Sequence, residues 1–326
     1  MKRLVTTAHS QGTRASYGSG IKQYESFCSF IGENLYNFTD LRNKFLLFLV
    51  FLQQEKKLGF ETIKVYAAAV RFWFVANGCS DPGMAAGGGR EPLLRLLFLG
   101  IQRASVGKSR AGRKPITTKR LIRFVGAVDN LVLGKLESTR LRALMLLAFW
   151  GMFRGSELCT KYGETKFLRH RDVVVGETSL GHRFVKITLQ KTKTKQHKSS
   201  QVYIYENRTK FCAVAAVTKF IKVKGKFYLV HPNSHFFSWP GANMSVKYFN
   251  MLIRSLASSL GLEPKFFSSH SFRAGGATSA TNAGVAPHVI KQLGRWSSNC
   301  FEFYVKKPRE ALIKAQRSLA KDLVFD

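Results

Sequence analysis

Apolar residues recur every three or four positions along the first hundred residues, which is the spacing of amphipathic helices. The pattern predicts a compact bundle of about four helices. They are expected over Thr13–Phe30, Leu41–Leu58, Thr62–Ala76 and Pro92–Ile101, with a cap at Thr39 or Asp40 before the second helix and Gly59 at its end. The Gly-rich stretch Asp81–Gly89 is expected to form a loop.

A polar, basic, Gly/Ser-rich stretch follows the bundle and is typical of a linker. We therefore predict an N-terminal domain over residues 1–103, a linker over 104–114 and a second domain over 115–326. Helices are expected from Thr117 or Thr118 to about Val128 and over Ser138–Trp150. Alternation then predicts strands over Phe184–Leu189 and Gln201–Tyr205, joined by a basic hairpin tip, with helices after Phe211 and a last one over Arg309–Leu323.

These elements indicate a mainly α fold with a small β-sheet or hairpin, in which an N-terminal helical bundle precedes an α+β domain. The longest apolar run, Ala143–Phe153, has 11 residues. A bilayer needs about 20, so no membrane role is expected. The N-terminus lacks the apolar stretch of a secretory signal. The five cysteines are scattered without a CxxC pair, which predicts neither disulfides nor a zinc site and favours a reducing compartment.

The charge of the chain changes the functional prediction. The formal net charge is +33 at pH 7, of which residues 1–110 carry +8 and residues 111–326 carry +25. Folding requires no such excess, so it indicates a polyanionic partner, with nucleic acid as the leading candidate. The second domain is expected to be the stronger binder.

The sequence matches neither a phosphate-binding P-loop nor a zinc-binding pair of histidines. Gly100 and Gly107 enclose six residues where a phosphate-binding P-loop has four, and the preceding segment is predicted to be helical. His231 and His235 are four positions apart, but Pro232 and Asn233 between them argue against a shared helical face, so a zinc pair is not expected. The scarcity of acids also argues against a metal-dependent nuclease, so no metal or other cofactor is expected.

Metal-free phosphodiester chemistry needs fixed guanidinium groups for the phosphate oxygens, a nucleophile and a proton donor. Three segments offer them: Phe153–Leu158 with Arg154 and Glu157, His270–Ala277 with His270 and Arg273, and Leu293–Ser298 shortly before Tyr304. An ordinary ion pair with Glu157 is the competing interpretation of Arg154. Simple aromatic packing is the competing interpretation of Tyr304.

The motifs R-G-S-E-L, H-S-F-R-A-G-G-A-T and L-G-R-W-S-S followed by Tyr resemble those of the tyrosine recombinases, the phage-integrase-like enzymes that break and rejoin DNA. They occur in the family's order and with roughly its spacing. The resemblance covers residues 115–326 by motif, which it implies to be the catalytic domain, whereas the bundle matches the family's core-binding domain in architecture only. The G-R-W-S-S form resembles recombinases of Crypton-like or DIRS-like mobile elements.

The resemblance implies a role for each motif residue. Tyr304 would attack the phosphate and form a 3′-phosphotyrosyl link, Arg154 and Arg273 would clamp its oxygens, His270 would assist, and Glu157 would support Arg154. Lys193 is our choice for the acid that protonates the 5′-oxygen, with Lys191 and Lys195 as alternatives. The other expected DNA contacts are Lys191, Lys195, Lys198, Lys108, Arg110, Arg113 and Lys114.

One position departs from the family. Nine residues before the nucleophile, where the family usually has His or Trp, this chain has Arg295, with Trp296 beside it. Either Arg295 substitutes for the usual His or Trp, or Trp296 moves into its place. Both are candidate catalytic residues.

The resemblance further implies double-stranded DNA held in a C-shaped clamp, and a homodimer or tetramer on paired sites, coupled through the C-terminal helix. The expected location is the nucleus if the source is eukaryotic, or otherwise the cytoplasm with the chromosome. Two alternatives remain open at this point. One is a relaxing enzyme like the type IB topoisomerases, and the other is a domesticated DNA-binding protein without catalysis.

Overall fold

The structure is a computed structural model that describes residue 9 and residues 11–85, 87–89, 91–105, 112–160, 167–190, 199–297 and 302. The chain divides into two compact units, Met1–Ala111 and Gly112–Asp326. Each unit encloses its own cluster of buried apolar side chains.

Unit 1 is a helical bundle, as its period of three to four residues predicts. Its core is rich in aromatic side chains, and Tyr24 meets Phe48 and Phe74 edge to face with ring centroids 5.2 and 5.4 Å apart. The helices are α1 (Gln11–Phe30), α2 (Leu41–Gln54), α3 (Phe60–Ala76) and α4 (Pro92–Ala104).

The ends of α2 differ from the sequence-based expectation. The helix stops at Gln54, four residues before the predicted end, because Lys57 adopts a left-handed backbone and Leu58 N–H donates to the Leu52 carbonyl. Asp40 is also left-handed, and its side chain makes no capping hydrogen bond to the helix. Local backbone turns at Asp40 and Lys57 therefore mark the two ends of this helix.

Unit 2 combines helices with one small antiparallel sheet of order β1-β2-β3. The predicted fold class, mainly α with a small sheet, is confirmed. The first strand was missed, because the short run Val173–Val175 carries no alternation that separates strand from helix. The helices are α5 (Thr118–Gly126), α6 (Lys135–Trp150), α7 (Gly155–Leu158), α8 (Ala213–Gly225), α9 (Val246–Ser259), α10 (Ser269–Asn282) and α11 (Pro287–Gly294), and the strands are β1 (Val173–Glu177), β2 (Arg183–Leu189) and β3 (Ser200–Tyr205).

The core of unit 2 is built around α6, which is apolar on nearly all sides and packs against α8 and α10. One face of the sheet is buried through Val185 and Ile187 of β2 and Ile204 of β3. The register pairs Val173 with Ile187 and Ile187 with Val202, so the inward side chains form one apolar row across the strands. Ile204 of the same buried face lies beside Gly151, which follows the carboxyl end of α6, where the candidate site begins.

Two buried cations hold the segment that leads into α9. Lys224 Nζ donates to the carbonyls of Phe236 and Ser238 at 2.9 and 2.6 Å, and Arg140 Nη1 donates to the carbonyl between them, that of Phe237, at 2.9 Å. Burial and the charge of Arg140 lower the pKa of Lys224 to about 8. The backbone of residues 236–238 is thus fixed by side chains from α6 and α8.

The four cysteines within the described residues are free thiols: Cys28, Cys79, Cys159 and Cys212. All but Cys79 are buried. Within the same residues, no helix has both the length and the apolar character that crossing a bilayer requires.

Candidate active site

A tight turn after α6 places Arg154. Met152 adopts a left-handed backbone with φ 45°, and Phe153 N–H returns to the carbonyl of Ala148 at 3.1 Å. A left-handed conformation is uncommon outside glycine. Arg154 then precedes the short helix α7, and the carboxylate of Glu157 accepts from its backbone N–H and from its Nη1, each at 2.9 Å. The ion pair with Glu157, which was the competing interpretation of Arg154, is therefore present.

Helix α10 carries His270 and Arg273 one turn apart, and two glycines let it lie directly against other backbone. A Cβ built on Gly275 would overlap the carbonyl of Ile116, and one on Gly276 would lie 2.7 Å from the carbonyl of Phe149. Only glycine allows this approach. The small residues after the H-S-F-R motif therefore dock α10 onto the end of α6.

The guanidinium of Arg273 is enclosed by protein, with the residue 1% exposed. Nη1 donates to the carbonyl of Met152 and Nη2 donates to the carbonyl of Gly294 at 2.6 Å. Trp296 is itself buried, and its ring centre lies 4.2 Å from the guanidinium carbon of Arg273. Arg273 thus ties the turn after α6 to the end of α11.

Arg295 ends α11 in a left-handed conformation with φ 57°, and its side chain returns toward the turn after α6. Nη1 donates to the carbonyl of Gly151 at 2.9 Å, and Nη2 donates to Glu157 Oε2 at 2.9 Å. The guanidinium carbon lies 4.7 Å from the ring centre of Phe153. In this structure Arg295 therefore contacts protein groups.

Glu157 is the acid at the centre of this arrangement, with its side chain 6% exposed. Burial alone would raise the pKa of its carboxyl. The charge of Arg295, the backbone N–H of Arg154, and the charges of Arg154 and Arg273 outweigh burial and lower that pKa below its usual value. Glu157 is therefore ionised and shared by two guanidinium groups.

His270 lies among cations. Burial and the charges of Arg113, Arg273 and Arg154 lower its pKa to about 4. At neutral pH its imidazole is uncharged, so that one ring nitrogen can donate and the other can accept a hydrogen bond. An uncharged histidine in such a place can exchange a proton with a reacting group.

Arg113 reaches this neighbourhood because the backbone just after it is fixed. Lys114 N–H donates to the carbonyl of Phe266, and Ile116 N–H donates to the carbonyl of Ser271, each at 2.9 Å. The ammonium of Lys114 also lies 4.8 Å from the ring centre of Phe266. Both residues were predicted as DNA contacts, and the structure places them beside the start of α10.

The structure thus brings together six predicted site residues from segments far apart in the chain: Arg154, Glu157, His270, Arg273, Arg295 and Trp296. Arg113 and Lys114 lie beside them. The other predicted residues lie outside the described part of the chain: Tyr304, Lys193, Lys191, Lys195, Lys198, Lys108 and Arg110.

Sequence reasoning missed the backbone groups of the site. The carbonyls of Gly151, Met152 and Gly294 accept from Arg273 or Arg295. Every residue has a carbonyl, so no sequence signal identifies these acceptors. The proximity of Arg113 to His270 was also missed, although the basic composition of the linker pointed to Arg113 as a phosphate contact.

The geometry concentrates positive charge in the largely buried region where three segments meet. Three guanidinium groups and one carboxylate leave two net positive charges next to an uncharged imidazole, which suits a phosphate group. Within the described residues, no group of three or more His, Cys, Asp or Glu side chains is arranged to hold a metal ion.

No sequence model of a protein family matches the chain, and no curated protein matches it by sequence. Solved structures do match its fold. The XerH site-specific recombinase bound to palindromic difH substrate superposes with a TM-score of 0.65 at 14% identity, over 93% of this chain and 78% of that one. The Tn1549 transposon integrase in complex with transposon right end DNA superposes with a TM-score of 0.60 at 15% identity, over 98% of this chain and 99% of that one.

A lambda integrase dimer bound to a COC′ core site gives a TM-score of 0.53 at 14% identity, over 100% of this chain and 77% of that one. At such identities the likeness concerns the fold. The chain therefore has the fold of the tyrosine recombinases, mostly helical with a small three-stranded antiparallel sheet in unit 2.

Proposed function

We propose that this chain is a site-specific DNA recombinase that cleaves and rejoins duplex DNA through a 3′-phosphotyrosyl intermediate, without metal or ATP. The observation that carries the proposal is the convergence of Arg154, His270 and Arg273 on one place from α7 and α10. The electrostatic influence of Arg154 and Arg273 on His270 reflects this proximity. A Cβ built on Gly155, next to Arg154, would lie 2.5 Å from Oγ of Ser269, next to His270, so the two segments are in direct contact.

Arg154 is the guanidinium best placed to meet a phosphate. Its side chain is 22% exposed, and Nη1 is oriented by Glu157. A guanidinium has five N–H donors, so those not directed at Glu157 can bind non-bridging oxygens. Arg273 would stabilise the same phosphate from the helix behind it. Fixed positive charge of this kind stabilises the charge that develops in the transition state.

The chemical step that we propose begins at Tyr304. Its phenolic oxygen attacks the phosphorus, and the bond from phosphorus to the 5′-oxygen breaks. The phenol loses its proton to a base, for which uncharged His270 is the candidate in this site, and the departing 5′-oxygen takes a proton from Lys193. The phosphotyrosyl ester keeps the energy of the phosphodiester bond, so attack by a 5′-hydroxyl reverses the step without an energy source.

The proposed partner is double-stranded DNA, held as paired sites by a dimer or tetramer. The predicted helix over Arg309–Leu323, which lies outside the described residues, would join the protomers. The net charge of +25 in residues 111–326 supports a polyanion as partner. We further propose that the protein belongs to a mobile element of Crypton-like or DIRS-like kind and acts in the nucleus of a eukaryotic host. The G-R-W-S-S segment supports this subfamily.

The deciding experiment traps the covalent intermediate. The protein is incubated with a library of nicked duplexes whose arms are randomised, and DNA that remains attached to protein on a denaturing gel is recovered and sequenced. A nick beside the scissile phosphate releases a short strand, so rejoining is prevented. We expect an adduct enriched in one sequence. Tyr304→Phe should abolish the adduct and retain binding, whereas Tyr228→Phe is the matched control and should form it.

The same experiment separates the alternatives. Binding without any adduct from the wild-type protein would support a DNA-binding protein without catalysis. Adducts without sequence preference, together with relaxation of supercoiled DNA, would support a relaxing enzyme. An adduct in the Tyr304→Phe protein would show that another residue is the nucleophile. Binding should also weaken steeply with salt, because neutralising phosphates releases counterions.

A further inference from the structure

Arg295 occupies the sequence position at which the proposed reaction would place a hydrogen-bond donor to the phosphate. Its side chain, however, donates to groups of the protein. Its Nη1 donates to Gly151 O at 2.9 Å and to Leu293 O at 3.2 Å, and its Nη2 donates to Glu157 Oε2. The Nε atom is buried as well. The side chain is 15% exposed, so little of it is available to a ligand.

The left-handed backbone conformation of Arg295 directs its side chain into these contacts. A left-handed residue after a helix turns the chain sharply, and glycine is the residue usually found there. Here the turn is made by Arg295 itself, and the next residue, Trp296, then packs beneath Arg273. One turn therefore directs two neighbouring side chains toward two different guanidinium sites, Arg295 toward the Arg154 side and Trp296 toward Arg273.

The carboxylate of Glu157 links Arg295 to Arg154. Oε1 accepts from Arg154 Nη1, and Oε2 accepts from Arg295 Nη2 and from the backbone N–H of Arg154, all at 2.9 Å. Both oxygens are thus held, and the carboxylate has no room to rotate away from Arg154. Loss of Arg295 would leave a buried negative charge with one cationic partner, next to the place of the phosphate.

We propose that Arg295 is a positioning residue that acts on the phosphate only through Glu157, by fixing and neutralising the carboxylate that orients Arg154. The inference rests on the proposed function for its effect on cleavage. This indirect role and a direct phosphate contact predict different results once the charge of Glu157 is removed. In the indirect role Arg295 then has no charge to neutralise, so removing Arg295 slows cleavage much less.

A double-mutant cycle distinguishes the two roles. Cleavage of the nicked duplex is measured in single turnovers at saturating protein for Arg295→Ala, for Glu157→Gln and for the double variant, with DNA affinity measured separately. Misplacement of a binding group by about 1 Å costs roughly 100-fold in rate. We therefore expect about that loss for Arg295→Ala, with unchanged DNA affinity. Lys219→Ala, which removes an exposed charge from α8, is the matched control and should cleave normally.

The informative result is the double variant. If Arg295 acts through Glu157, the double variant should cleave roughly tenfold faster than Arg295→Ala alone. The reason is that the amide of Gln keeps an acceptor for Arg154 without the negative charge. A merely structural role would make the two losses add. If Arg295 contacts the phosphate, the losses also add, so additivity overturns the inference.

If the wild-type protein forms no adduct, the proposed function fails and the inference is decided by stability. Thermal midpoints are then measured for Arg154→Ala, Arg295→Ala and the pair, first with the Glu157 carboxylate intact and then in combination with Glu157→Gln. Coupling between the two arginines that disappears with the carboxylate supports the inference. Strict additivity in both backgrounds overturns it.

Discussion

The guanidinium carbon of Arg273 lies 4.2 Å from the ring centre of Trp296, and both side chains are buried. The indole provides a flat surface beneath the cation while the carbonyls of Met152 and Gly294 hold its edges. Trp296 therefore has a position of its own in the site, distinct from that of Arg295.

This contact makes Trp296→Ala destabilising. Truncating a buried aromatic side chain to Ala typically costs about 3–5 kcal/mol, and here it also removes the surface under Arg273. We expect a clearly lowered unfolding midpoint and slower DNA cleavage. Trp296→Phe keeps an aromatic face, so it should recover most of both quantities. Equal loss in the two variants would mean that the ring face is not what supports Arg273.

Acid should destabilise the protein through its buried histidines. Burial, followed by nearby cations, lowers the pKa values of His170, His235 and His270 to about 4, against 6.5 for an ordinary histidine. The unfolded chain therefore binds more protons between these values. The stability that depends on these uncharged histidines is fully present above about pH 6.5 and is lost progressively as the pH falls toward 4.

Urea unfolding midpoints across that range measure the effect. His170→Gln should flatten the profile, since one of the three titrating groups is removed. His288→Gln is the control, because that residue is exposed on α11, and it should keep the wild-type slope. A wild-type midpoint that does not change over the window would contradict the assignment.

Gly275→Ala tests the direct contact between α10 and the backbone of Ile116. An added Cβ would overlap the carbonyl of Ile116. Forcing extra atoms into a packed region typically costs about 1–3 kcal/mol. Gly126→Ala is the matched control, because Gly126 lies in a helix with φ −63° and open space around it. Replacing an exposed helical glycine by Ala typically stabilises by about 0.5–1 kcal/mol. Equal thermal midpoints for the two variants would contradict the packing.

Arg113→Ala should raise the pKa of His270. Burial is the main cause of the lowered value, and Arg113 is the first cation that adds to it. Removing that charge leaves burial, Arg273 and Arg154, so the pKa should move from about 4 toward 6.5 without reaching it. The imidazole signal, assigned by its loss in His270→Gln, is followed by NMR titration.

Lys265→Ala is the matched control for this titration. Its ammonium is exposed and pairs with Glu263 at 2.6 Å. The pKa of His270 should not change in that variant. Equal titration curves for wild type and Arg113→Ala would show that the charge of Arg113 does not influence His270.

The sequence predicted the parts of this fold that periodicity controls. The helices of unit 1 and the apolar helix α6 repeat apolar residues at helical spacing, and β2 and β3 alternate. Helix ends and β1 were less well predicted. Lys57 and Asp40 take left-handed conformations that the spacing of apolar residues does not indicate, and Val173–Val175 becomes a strand only by pairing with β2.

The site could be predicted as a set of side chains but not as a geometry. Motif order indicated Arg154, Glu157, His270 and Arg273, which do meet. The direction of Arg295 could not be predicted, because it depends on the left-handed turn at that residue and on carbonyls that leave no sequence signal. The same turn separates Trp296 from Arg295, whereas the sequence treats them as alternatives for one place.

Each unit contains a buried thiol that can react only when local unfolding exposes it. Burial raises the pKa of Cys28 in unit 1 and of Cys159 in unit 2, which leaves little thiolate to react with an alkylating reagent. Mass-resolved labelling of the wild-type chain would therefore register when each unit exposes its interior. The order in which these two peptides gain mass on gentle warming would rank the units by local stability, without any engineered dye or tag.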